Sequence, residues 1–421
     1  MLNGILILPA APILKRSRDT EHRYRPDSEF YYMTGSGEPG MVAVFGTDAE
    51  QGYVLFVPPR DPGVELWSGP RLSPEEARET LGADAAYPLD EMEERLLEMV
   101  KAHRRVYFRL GRAPRIQRLV LNALTWARTG GARSGTGPRT VEDPGSLLDD
   151  LRLLKDPGEI DLIRQATRMT VGAFHQAIGG TRPGMGEWEV EAVLESAFRQ
   201  AGASGPAFPT IVGSGNNGCI LHYVENGGRI GEDDLVLLDG GAEVGLYAGD
   251  VTRTYPAGGS FTPPQLEVYS VVQNAQHAAI SKITPGNRLE EVHSAAVEAL
   301  TAGLTELGVL RGRVEELLDE KAYQAHFPHR TSHWLGLDVH DVGDYRTDSG
   351  SRVLEPGMVL TVEPGLYFSA GSEGVPSHLV GMGIRIEDDL LVTENGAENL
   401  TEALPADPVE LEELVGTAVQ G

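Results

Sequence analysis

The stretch from Leu235 to Tyr255, LVLLDGGAEVGLYAGDVTRTY, constrains the fold of this chain more than any other. Two runs rich in apolar and β-branched residues flank a glycine-containing turn, which predicts a β-hairpin. With the turn centred on Val244 and Gly245, Asp239 faces Asp250 across the hairpin. Facing residues of an antiparallel pair have Cβ atoms about 4.5–5.5 Å apart.

Two carboxylates at that separation repel each other, in a chain whose formal net charge is −26. Cations between them would remove the repulsion, and two metal ions about 3.5–4 Å apart fit such a pair of ligands. The hairpin is equally compatible with two solvated acids and a turn one residue different in length, because turn geometry sets the register. The hairpin alone therefore leaves both alternatives open.

Composition and charge exclude several kinds of partner. The 421 residues, 41% hydrophobic and 23% charged, favour two or three globular domains. A balance of 36 Lys and Arg against 62 Asp and Glu argues against binding to nucleic acid or to an anionic membrane. The single cysteine, Cys219, rules out an intramolecular disulfide and is compatible with a cytoplasmic location. No apolar run reaches the roughly 18 residues of a membrane span.

One stretch, residues 104–139, departs from this acidic balance. It contains nine arginines and no acid. It lacks the interleaved aromatic residues of an RNA-stacking surface. We therefore interpret it as a solvated basic face or a subunit contact.

Residues 1–146 alternate short strands with helical segments, which predicts a small α/β domain. The predicted strands are Ile5–Leu8, Val42–Phe45, Tyr53–Val57 and Val106–Arg109, and the predicted helices are Ser73–Leu81 and Leu89–His103. The last part, residues 129–145, is rich in Gly, Ser, Thr and Pro, as is typical of an interdomain linker.

Residues 147–421 predict a second domain with a different architecture. Asp156, Pro157 and Glu159 form a strong helix start, with a capping acid, a proline in the first turn and a glutamate three residues after the cap. Long helices then alternate with antiparallel strands, which predicts an α+β fold. The predicted helices cover residues 156–178, 186–201, 262–283 and 288–307, and the predicted later strands are Leu335–His340, Met358–Val362 and Ile384–Val392.

A faint internal repeat links two strand ends. DDLVLLDGG (233–241) and PGMVLTVEPG (356–365) each contain a turn, an apolar strand, and an acid and glycine at its end. The repeat places Asp239 and Glu363 at equivalent positions, as a pseudo-symmetric two-metal site would require.

Histidines concentrate in residues 326–340, HFPHRTSHWLGLDVH, where four of the eleven lie within fifteen residues: His326, His329, His333 and His340. A single histidine here would more often be a hydrogen-bonded core residue, but four together favour a site.

In GIRIEDD, alternation places Arg385 and Glu387 on one strand face. They could form an exposed ion pair. If they instead meet Asp239, Asp250 and Glu363, one pocket contains four carboxylates and an imidazole, and Arg385 orients the ligands. Such a donor set prefers hard to borderline divalent ions, manganese before zinc or cobalt.

Together these motifs resemble the pita-bread metallopeptidases, most closely the aminopeptidase P family. The resemblance covers nearly the whole chain, through RYRPDSEFYYMTG, ELWSGPR, TIVGSGNNGCILHY, LLDGGAEVGLYAGDVTRTYP, HWLGLDVHD, VEPGLY and GIRIEDD. It implies a pseudo-symmetric pita-bread catalytic domain at 147–421, an antiparallel sheet flanked by helices, after an α/β domain at 1–146.

The resemblance also implies individual roles. Arg385 would orient the ligands, and three pocket histidines, His222, His329 and His340, would surround the substrate and the transition state. The implied ligands of two divalent ions are Asp239, Asp250, His333, Glu363 and Glu387.

The implied reaction is hydrolysis of the bond between an N-terminal residue and a proline. Two metal ions would generate a hydroxide from a shared water, with Glu363 as general base and His340 beside the oxyanion. His222 and His329 would hold the proline side, where the tertiary nitrogen carries no N–H. The free α-amino group would lie near the metal carboxylates.

Three alternatives differ in what they predict. A prolidase shares the metal set but cleaves only dipeptides. A creatinase-like enzyme lacks the full carboxylate set, and a non-catalytic binding protein would be expected to lose ligands. We expect residues 213–218 and 369–377, rich in glycine and serine, to form cleft edges that leave the site open beyond the proline.

Two further residues attract attention. Trp67, in the polar loop VELWSGPR, is predicted to anchor a subunit interface and to reach the active-site mouth of a neighbour in a homodimer or homotetramer. Arg330 follows His329 where the family is expected to have glycine, and could alter substrate preference or loop shape.

Overall fold

The computed structural model describes residues 3–47 and 52–417. The chain forms two compact units, Met1–Asp149 and Asp150–Gly421. The predicted domain boundary at residue 146 falls a few residues earlier, inside the helix Gly145–Leu153. In the described ranges, no helix is long and apolar enough to cross a membrane.

The N-terminal unit is built on a six-stranded mixed sheet. In spatial order its strands are Ala85–Pro88, Tyr53–Val57, Val42–Phe45, Gly4–Pro9, Arg105–Tyr107 and Thr140–Glu142. Its helices are Ser28–Thr34, Pro62–Ser68, Pro74–Leu81, Met92–Ala102, Pro114–Thr129 and Gly131–Ser134, and Lys15–Ser17 pairs with Thr20–Glu21 in a small hairpin. Alternate residues of the first strand enter two separate apolar clusters, so the sheet is buried on both faces, as in α/β proteins.

The predicted linker is wrong. Thr140–Glu142 pairs in parallel with Arg105–Tyr107 and is the edge strand of the sheet. Gly135 and Gly137 adopt φ values of 69° and 91°, and thus serve the turn before this strand. The composition of this stretch indicated turns within the unit and not a connection between units.

The arginines of residues 104–139 are partly neutralised by acids from other elements of the same unit. The pairs, with N···O separations of 2.6–3.3 Å, are Arg105–Glu142, Arg109–Glu29, Arg112–Asp27 and Arg115–Glu93. Most of these side chains are half exposed, which agrees with a solvated basic face.

The second unit combines long helices with small antiparallel sheets. Its helices after Gly145–Leu153 are Pro157–Gly180, Glu187–Ala201, Pro263–Ile280, Leu289–Glu306, Val314–Asp319 and Pro408–Leu414, with 3₁₀ turns at Gly215–Cys219 and Ala322–Ala325. Its strands are Gly205–Pro206, Ile211–Ser214, Leu235–Gly240, Ala242–Val244, Tyr247–Ala248, Val251–Pro256, Arg346–Thr347, Gly350–Ser351, Val359–Val362, Gly365–Phe368, Met382–Arg385, Asp388–Thr393 and Gly396–Asn399. This unit is α+β, as predicted.

The helix start at Asp156 is confirmed. The Asp156 side chain accepts from the Glu159 N–H at 2.9 Å, and the Glu159 side chain accepts from the Asp156 N–H at 2.8 Å. Pro157 occupies the first turn, where no backbone donor is needed. The helix packs its buried face, including Phe174, against the following helix, and so begins the core of the second unit.

The predicted register of the hairpin is wrong. Asp239 faces Thr252, and the turn is formed by Gly245 and Leu246, whose φ values of 56° and 70° belong to a tight hairpin turn. Pairing is displaced by two residues from the prediction. Because side chains alternate with a period of two, that displacement keeps Asp250 on the same face as Asp239, now as a diagonal neighbour.

The predicted strand Leu335–His340 is also wrong. The pairing occurs a few residues earlier in the chain, where residues 331–335 run antiparallel to residues 359–363. The N–H groups of Leu335, Thr361 and Glu363 donate hydrogen bonds between these two segments. The segment then turns, because the Gly336 carbonyl accepts from Ala248 and the Asp341 N–H donates back to Trp334. Apolar alternation here comes from burial of Leu335 and Leu337 in an irregular segment.

Candidate metal centre

A cleft of about 520 Å³ in the second unit contains most of the predicted site residues. Trp67, in contrast, lies in the N-terminal unit, on the short helix Pro62–Ser68 and not in a loop, with 89% of its surface exposed. The predicted residues that line the cleft are His222, Asp239, Asp250, His329, His333, His340, Glu363, Arg385 and Glu387. The remaining lining consists of Arg330, Ser332 and six apolar residues, Phe208, Pro209, Ile211, Leu221, Val224 and Val339.

Three side chains are close enough to hold one ion. A ligand atom from each of Asp250, His333 and Glu387 lies within 4.8 Å of the other two. His333 Nδ1 donates to the Trp334 carbonyl at 3.0 Å. Because a carbonyl can only accept, this bond leaves Nε2 to face carboxylate oxygens of Asp250 at 3.3 Å and of Glu363 at 3.6 Å. A histidine held through one nitrogen, with the other directed at carboxylates, has the arrangement of a metal ligand.

Asp239 supplies an independent test of metal binding. Its Oδ2 accepts from the Arg385 guanidinium at 2.5 Å. Its Oδ1 is buried and has no hydrogen-bond partner among the described residues. A buried carboxylate oxygen without a partner is costly, and a divalent cation in the cleft would satisfy it. The side chains of this cleft therefore fit a divalent metal site.

Thr252, which faces Asp239 in the hairpin, connects the hairpin to the segment that contains Arg385 and Glu387. Its hydroxyl donates to Glu387 Oε2 at 2.7 Å and accepts from Arg385 Nε at 3.0 Å. The Glu387 N–H donates to the Thr252 carbonyl at 3.1 Å. The hairpin and the GIRIEDD segment are thus held together at the position where the ligands meet.

The predicted strand Ile384–Val392 is interrupted at the site. It consists of Met382–Arg385 and Asp388–Thr393, and Glu387 lies in the break. The buried Arg253 guanidinium stabilises this break by donating to the Glu387 carbonyl at 2.6 Å and to Asp388 Oδ1 at 2.7 Å. Despite the break, Arg385 and Glu387 both point into the cleft.

Burial and mutual repulsion raise the pKa values of the site carboxyls. Burial, and then the charge of Asp239, holds the pKa of Asp250 well above its usual range. Burial, followed by Asp250 and Glu363, does the same to the pKa of Glu387. Burial raises the pKa of Glu363 to about 7, although His333 and Arg385 oppose the shift. Cations in the cleft would take the place of these protons.

We expect the stability of the metal-free protein to fall as pH rises from about 4.5 to 7. A carboxyl whose folded-state pKa is raised stabilises the fold fully below its unfolded pKa and loses that contribution as pH rises through the folded pKa. For Glu363, the shift from 4.5 to about 7 corresponds to a loss on the order of 3 kcal/mol. Scanning calorimetry of chelator-treated protein at pH 5 and pH 8 measures the change.

Glu363→Gln separates this effect from the titration of other groups. It replaces the carboxyl with a neutral isostere that cannot ionise. Metal-free E363Q should match the wild type at pH 5 and exceed it in Tm at pH 8. Equal Tm differences at both pH values would contradict the assignment.

His329 is held through both ring nitrogens. Nδ1 donates to the Arg330 carbonyl at 2.8 Å, and Nε2 accepts from the Tyr367 hydroxyl at 2.8 Å. Burial, and then the charge of Arg385, lowers the pKa of His329 to about 3. His329 is therefore neutral at physiological pH, with a fixed tautomer.

The other two pocket histidines are more accessible. His340 is partly exposed at the cleft, and its ring meets that of His333 edge-on at 4.5 Å between centroids. Partial burial, and then the charge of His333, lowers the pKa of His340. His222 is exposed on a loop anchored by the buried Glu187 carboxylate, which accepts from the Tyr223 hydroxyl at 2.9 Å and from the Gly228 N–H at 2.6 Å. Both imidazoles can thus contact a ligand in the cleft.

Sequence reasoning assigned no role to several residues that organise this centre. Tyr367 bridges His329 and Arg385, and Thr252 bridges Arg385 and Glu387. Tyr367 lies in the VEPGLY motif and Thr252 in the hairpin, so both belong to segments already singled out from the sequence. Their roles depend on pairing between distant strands, and the correct hairpin register would have indicated Thr252.

Comparison with known proteins defines the class first. Residues 161–394 match the model of metallopeptidase family M24, and residues 1–107 match that of the aminopeptidase P N-terminal domain. The metal centre lies within the first of these regions. The chain therefore belongs to metallopeptidase family M24, and its fold is that of the pita-bread metallopeptidases.

Individual relatives make the assignment more specific. The chain is 43% identical to Xaa-Pro aminopeptidase of Escherichia coli strain K12 over 411 residues, covering 97% of this chain and 93% of that protein. It is 33% identical to human Xaa-Pro aminopeptidase 3, covering 98% and 81% of the two chains. The structure of Pseudomonas aeruginosa aminopeptidase PepP superposes with a TM-score of 0.94 at 44% identity, covering 99% and 94%.

A zinc-substituted E. coli aminopeptidase P in complex with product superposes with a TM-score of 0.94 at 42% identity, covering all of this chain and 95% of that one. That relative holds a divalent metal in the same fold. Together with the donor set of the cleft, the family assignment establishes divalent metal binding for this chain.

Proposed function

We propose that this protein is a metal-dependent Xaa-Pro aminopeptidase, which releases the N-terminal residue from peptides with proline at the second position. One observation carries the proposal: four carboxylates and the His333 imidazole converge in a single cleft, in a chain that matches the M24 family and the aminopeptidase P N-terminal domain. Turnover of Xaa-Pro and Xaa-Pro-Yaa peptides, with metal content measured on the same sample, tests it.

Five residues would hold two divalent ions: Asp239, Asp250, His333, Glu363 and Glu387. When bound, the ions supply Lewis-acid activation of water and of the scissile carbonyl. We propose manganese, because the donor set is oxygen-rich with a single imidazole, with zinc or cobalt as alternatives. Arg385 orients Asp239 through their 2.5 Å contact.

Glu363 is placed to move a proton during the reaction. Its carboxylate lies 3.6 Å from His333 Nε2 at the metal centre, where a carboxylate can act first as general base and then as general acid. It would accept a proton from the attacking water and return it to the leaving proline nitrogen. His340, neutral and exposed at the cleft, would donate a hydrogen bond to the developing oxyanion.

The apolar lining suits the proline ring. His222 and His329 would border the ring on the leaving-group side, with Ile211, Leu221 and Val224 in the same cleft. A shaped pocket is needed, because the scissile nitrogen carries no N–H for recognition. The free α-amino group would bind near the metal carboxylates, which explains cleavage at the N-terminus.

The expected cleft-edge loops do not contribute to this specificity. Residues 213–218 lie in the strand Ile211–Ser214 and the 3₁₀ turn after it, and neither they nor residues 369–377 line the cleft. The preference for an aminopeptidase over a prolidase rests instead on the relatives, which are named Xaa-Pro aminopeptidases. We also propose a cytoplasmic location, which the single, free cysteine supports.

We further propose that the protein assembles as a homodimer or homotetramer through the helix Pro62–Ser68. None of the residues of this helix is buried, and Leu66 and Trp67 are 81% and 89% exposed. Large exposed apolar side chains side by side commonly mark an interface. Trp67 of one subunit would then reach the active-site mouth of another.

Trp67→Ser should therefore weaken assembly and raise KM without loss of bound metal. Light scattering measures the mass, and peptide kinetics on the same samples measure KM. Trp188→Ser, which removes a half-exposed tryptophan of the second unit, is the matched control and should leave the mass unchanged. A wild-type protein that is monomeric and fully active at assay concentration would refute the interface.

A further inference from the structure

A second cavity, of about 610 Å³, opens beside the metal cleft and has an unusual charge. Three cations line it, Lys321, Arg330 and Arg346, against one carboxylate, that of Glu290. The chain as a whole has a formal net charge of −26. A locally basic cavity on so acidic a protein selects for an anionic ligand group. We call the cavity lined by these four residues the basic recess.

The basic recess adjoins the metal cleft. His329 and Arg330 line both cavities. A third cavity, of about 370 Å³, is lined by Arg330, Arg346 and Glu290, and also by His333 of the metal centre. Arg330 therefore belongs both to the recess and to the lining of the metal cleft.

The cations of the recess are available to a ligand. The Arg330 guanidinium is 3.5 Å from Glu290 Oε2, and the two side chains are 63% and 46% exposed. Exposed pairs of this kind contribute little and exchange readily. Lys321 and Arg346 are exposed and form no ion pair with any described residue.

The other lining residues add no opposing charge. Burial, and then the charge of Arg330, lowers the pKa of His293 to about 4, so this imidazole is neutral at physiological pH. Tyr323, Phe327 and Pro328 supply apolar wall. An anion with a short apolar stem fits this lining better than a free inorganic ion.

The position of the recess indicates which part of a peptide it meets. Under the proposed function, His329 borders the proline after the scissile bond. A chain leaving that proline continues past His329 and Arg330, and each extended residue advances it about 3.3 Å. We expect one or two residues beyond the proline to be enough to reach a recess that begins at these two shared residues.

We propose that the basic recess binds a peptide carboxylate downstream of the proline, so that the enzyme prefers Xaa-Pro substrates with an acidic group there. This inference rests on the proposed function. The carboxylate is supplied by an Asp or Glu side chain or by the C-terminus of a short peptide. Guanidinium groups suit either, since they present paired N–H donors to a carboxylate.

Two peptide comparisons distinguish these sources. Ala-Pro-Asp-amide against Ala-Pro-Asn-amide tests a side-chain carboxylate at constant shape, and Ala-Pro-Ala against Ala-Pro-Ala-amide tests the C-terminal carboxylate. The same pairs extended by one alanine before the test group probe the next position. We expect kcat/KM to favour the anionic member of at least one pair by about tenfold at low salt, and the ratio to shrink as salt screens the charges.

The double variant Lys321→Gln, Arg346→Gln should bring that ratio close to one. Lys282→Gln, which removes an exposed cation outside the recess, is the matched control and should keep the wild-type ratio. Because each ratio compares two peptides on one protein preparation, it is insensitive to the fraction of active enzyme.

Two results would overturn the inference while leaving the proposed function intact: ratios near one in every wild-type pair, or a preference that survives in the double variant. If no Xaa-Pro peptide is cleaved, neutral amides included, the proposed function fails and the inference fails with it. A preference that appears in wild type, falls with salt and disappears in the double variant establishes the recess as a carboxylate subsite.

Discussion

Asp250→Ala should abolish hydrolysis and strongly reduce bound metal while the fold persists. Asp250 supplies one of three ligand atoms within 4.8 Å of one another and lies 3.3 Å from His333 Nε2. Loss of a residue that merely supports a metal ligand commonly costs 10–100-fold in metal affinity or activity. Loss of a ligand should exceed this, and we expect kcat/KM to fall by more than about 100-fold.

The fold should survive because Asp250 does not stabilise the metal-free protein. Burial and the charge of Asp239 hold the pKa of Asp250 well above its usual range, so its charged form is disfavoured there. Metal-free D250A should therefore unfold at the same temperature as metal-free wild type, or higher, at pH 8. Metal analysis, calorimetry and peptide turnover on one preparation measure all three properties.

Asp319→Ala provides the matched control, since it removes an exposed aspartate at the end of the helix Val314–Asp319, which contributes no residue to the cleft. It should retain wild-type metal content and activity. Wild-type metal occupancy together with wild-type turnover in D250A would refute the proposed ligand set.

The hairpin shows why the face of a strand is easier to predict than its partners. The prediction placed the turn one residue too early, because Gly245 was taken as its second residue and not its first. Leu246 adopts a φ of 70°, which a leucine seldom does, and nothing in the sequence indicates this. The error displaced the pairing by two residues and left Asp239 and Asp250 on one face, since side chains alternate with a period of two.

The histidine segment shows the opposite case, in which a clear local pattern failed. Its course is fixed by ion pairs with residues almost 190 positions away. The buried Asp341 carboxylate receives Lys155 Nζ at 3.0 Å and also contacts Arg152, which donates to Asp338 at 2.8 Å. Contacts so distant in sequence leave no periodic signal, and alternation alone predicted a strand where the chain turns.

Family motifs grouped residues that periodicity could not bring together. The nine predicted residues of the second unit that line the cleft come from five separate segments of the chain, and no spacing rule brings them together. Thr252 and Tyr367 stood inside the same motifs but received no role, because a bridging hydroxyl has meaning only once the pairing of strands is known. Residue types indicate the chemistry, and tertiary contacts indicate how it is organised.

The peptide series is expected to show the second large effect. Tripeptides and longer peptides with proline second should release their N-terminal residue at least as efficiently as Xaa-Pro dipeptides. The cleft shares His329 and Arg330 with a neighbouring cavity of about 610 Å³, and we expect residues after the proline to extend towards that cavity. Chromatographic detection of the released residue measures kcat/KM for each peptide.

Two single changes to the peptide test how the enzyme recognises the proline and the free α-amino group. Exchanging the proline for alanine should lower kcat/KM substantially, by about 10- to 200-fold for lost apolar contact in the pocket. Acetylation of the N-terminus should block cleavage, because it removes the positive charge that would bind near the carboxylates of Asp239 and Glu387. Each altered peptide differs from its parent at one group, so the parent peptide is the control.

The outcomes separate the alternatives by physical cause. Hydrolysis confined to dipeptides would mean that the chain after the proline is obstructed, and the protein would be a prolidase. Cleavage of acetylated peptides at the parent rate would mean that the carboxylates of Asp239 and Glu387 do not bind the α-amino group of the substrate. Equal turnover of proline and alanine peptides would remove any role for the apolar lining around Ile211 and Leu221. An enzyme that requires a free amine, prefers proline and accepts a longer chain is the outcome that the proposed function predicts.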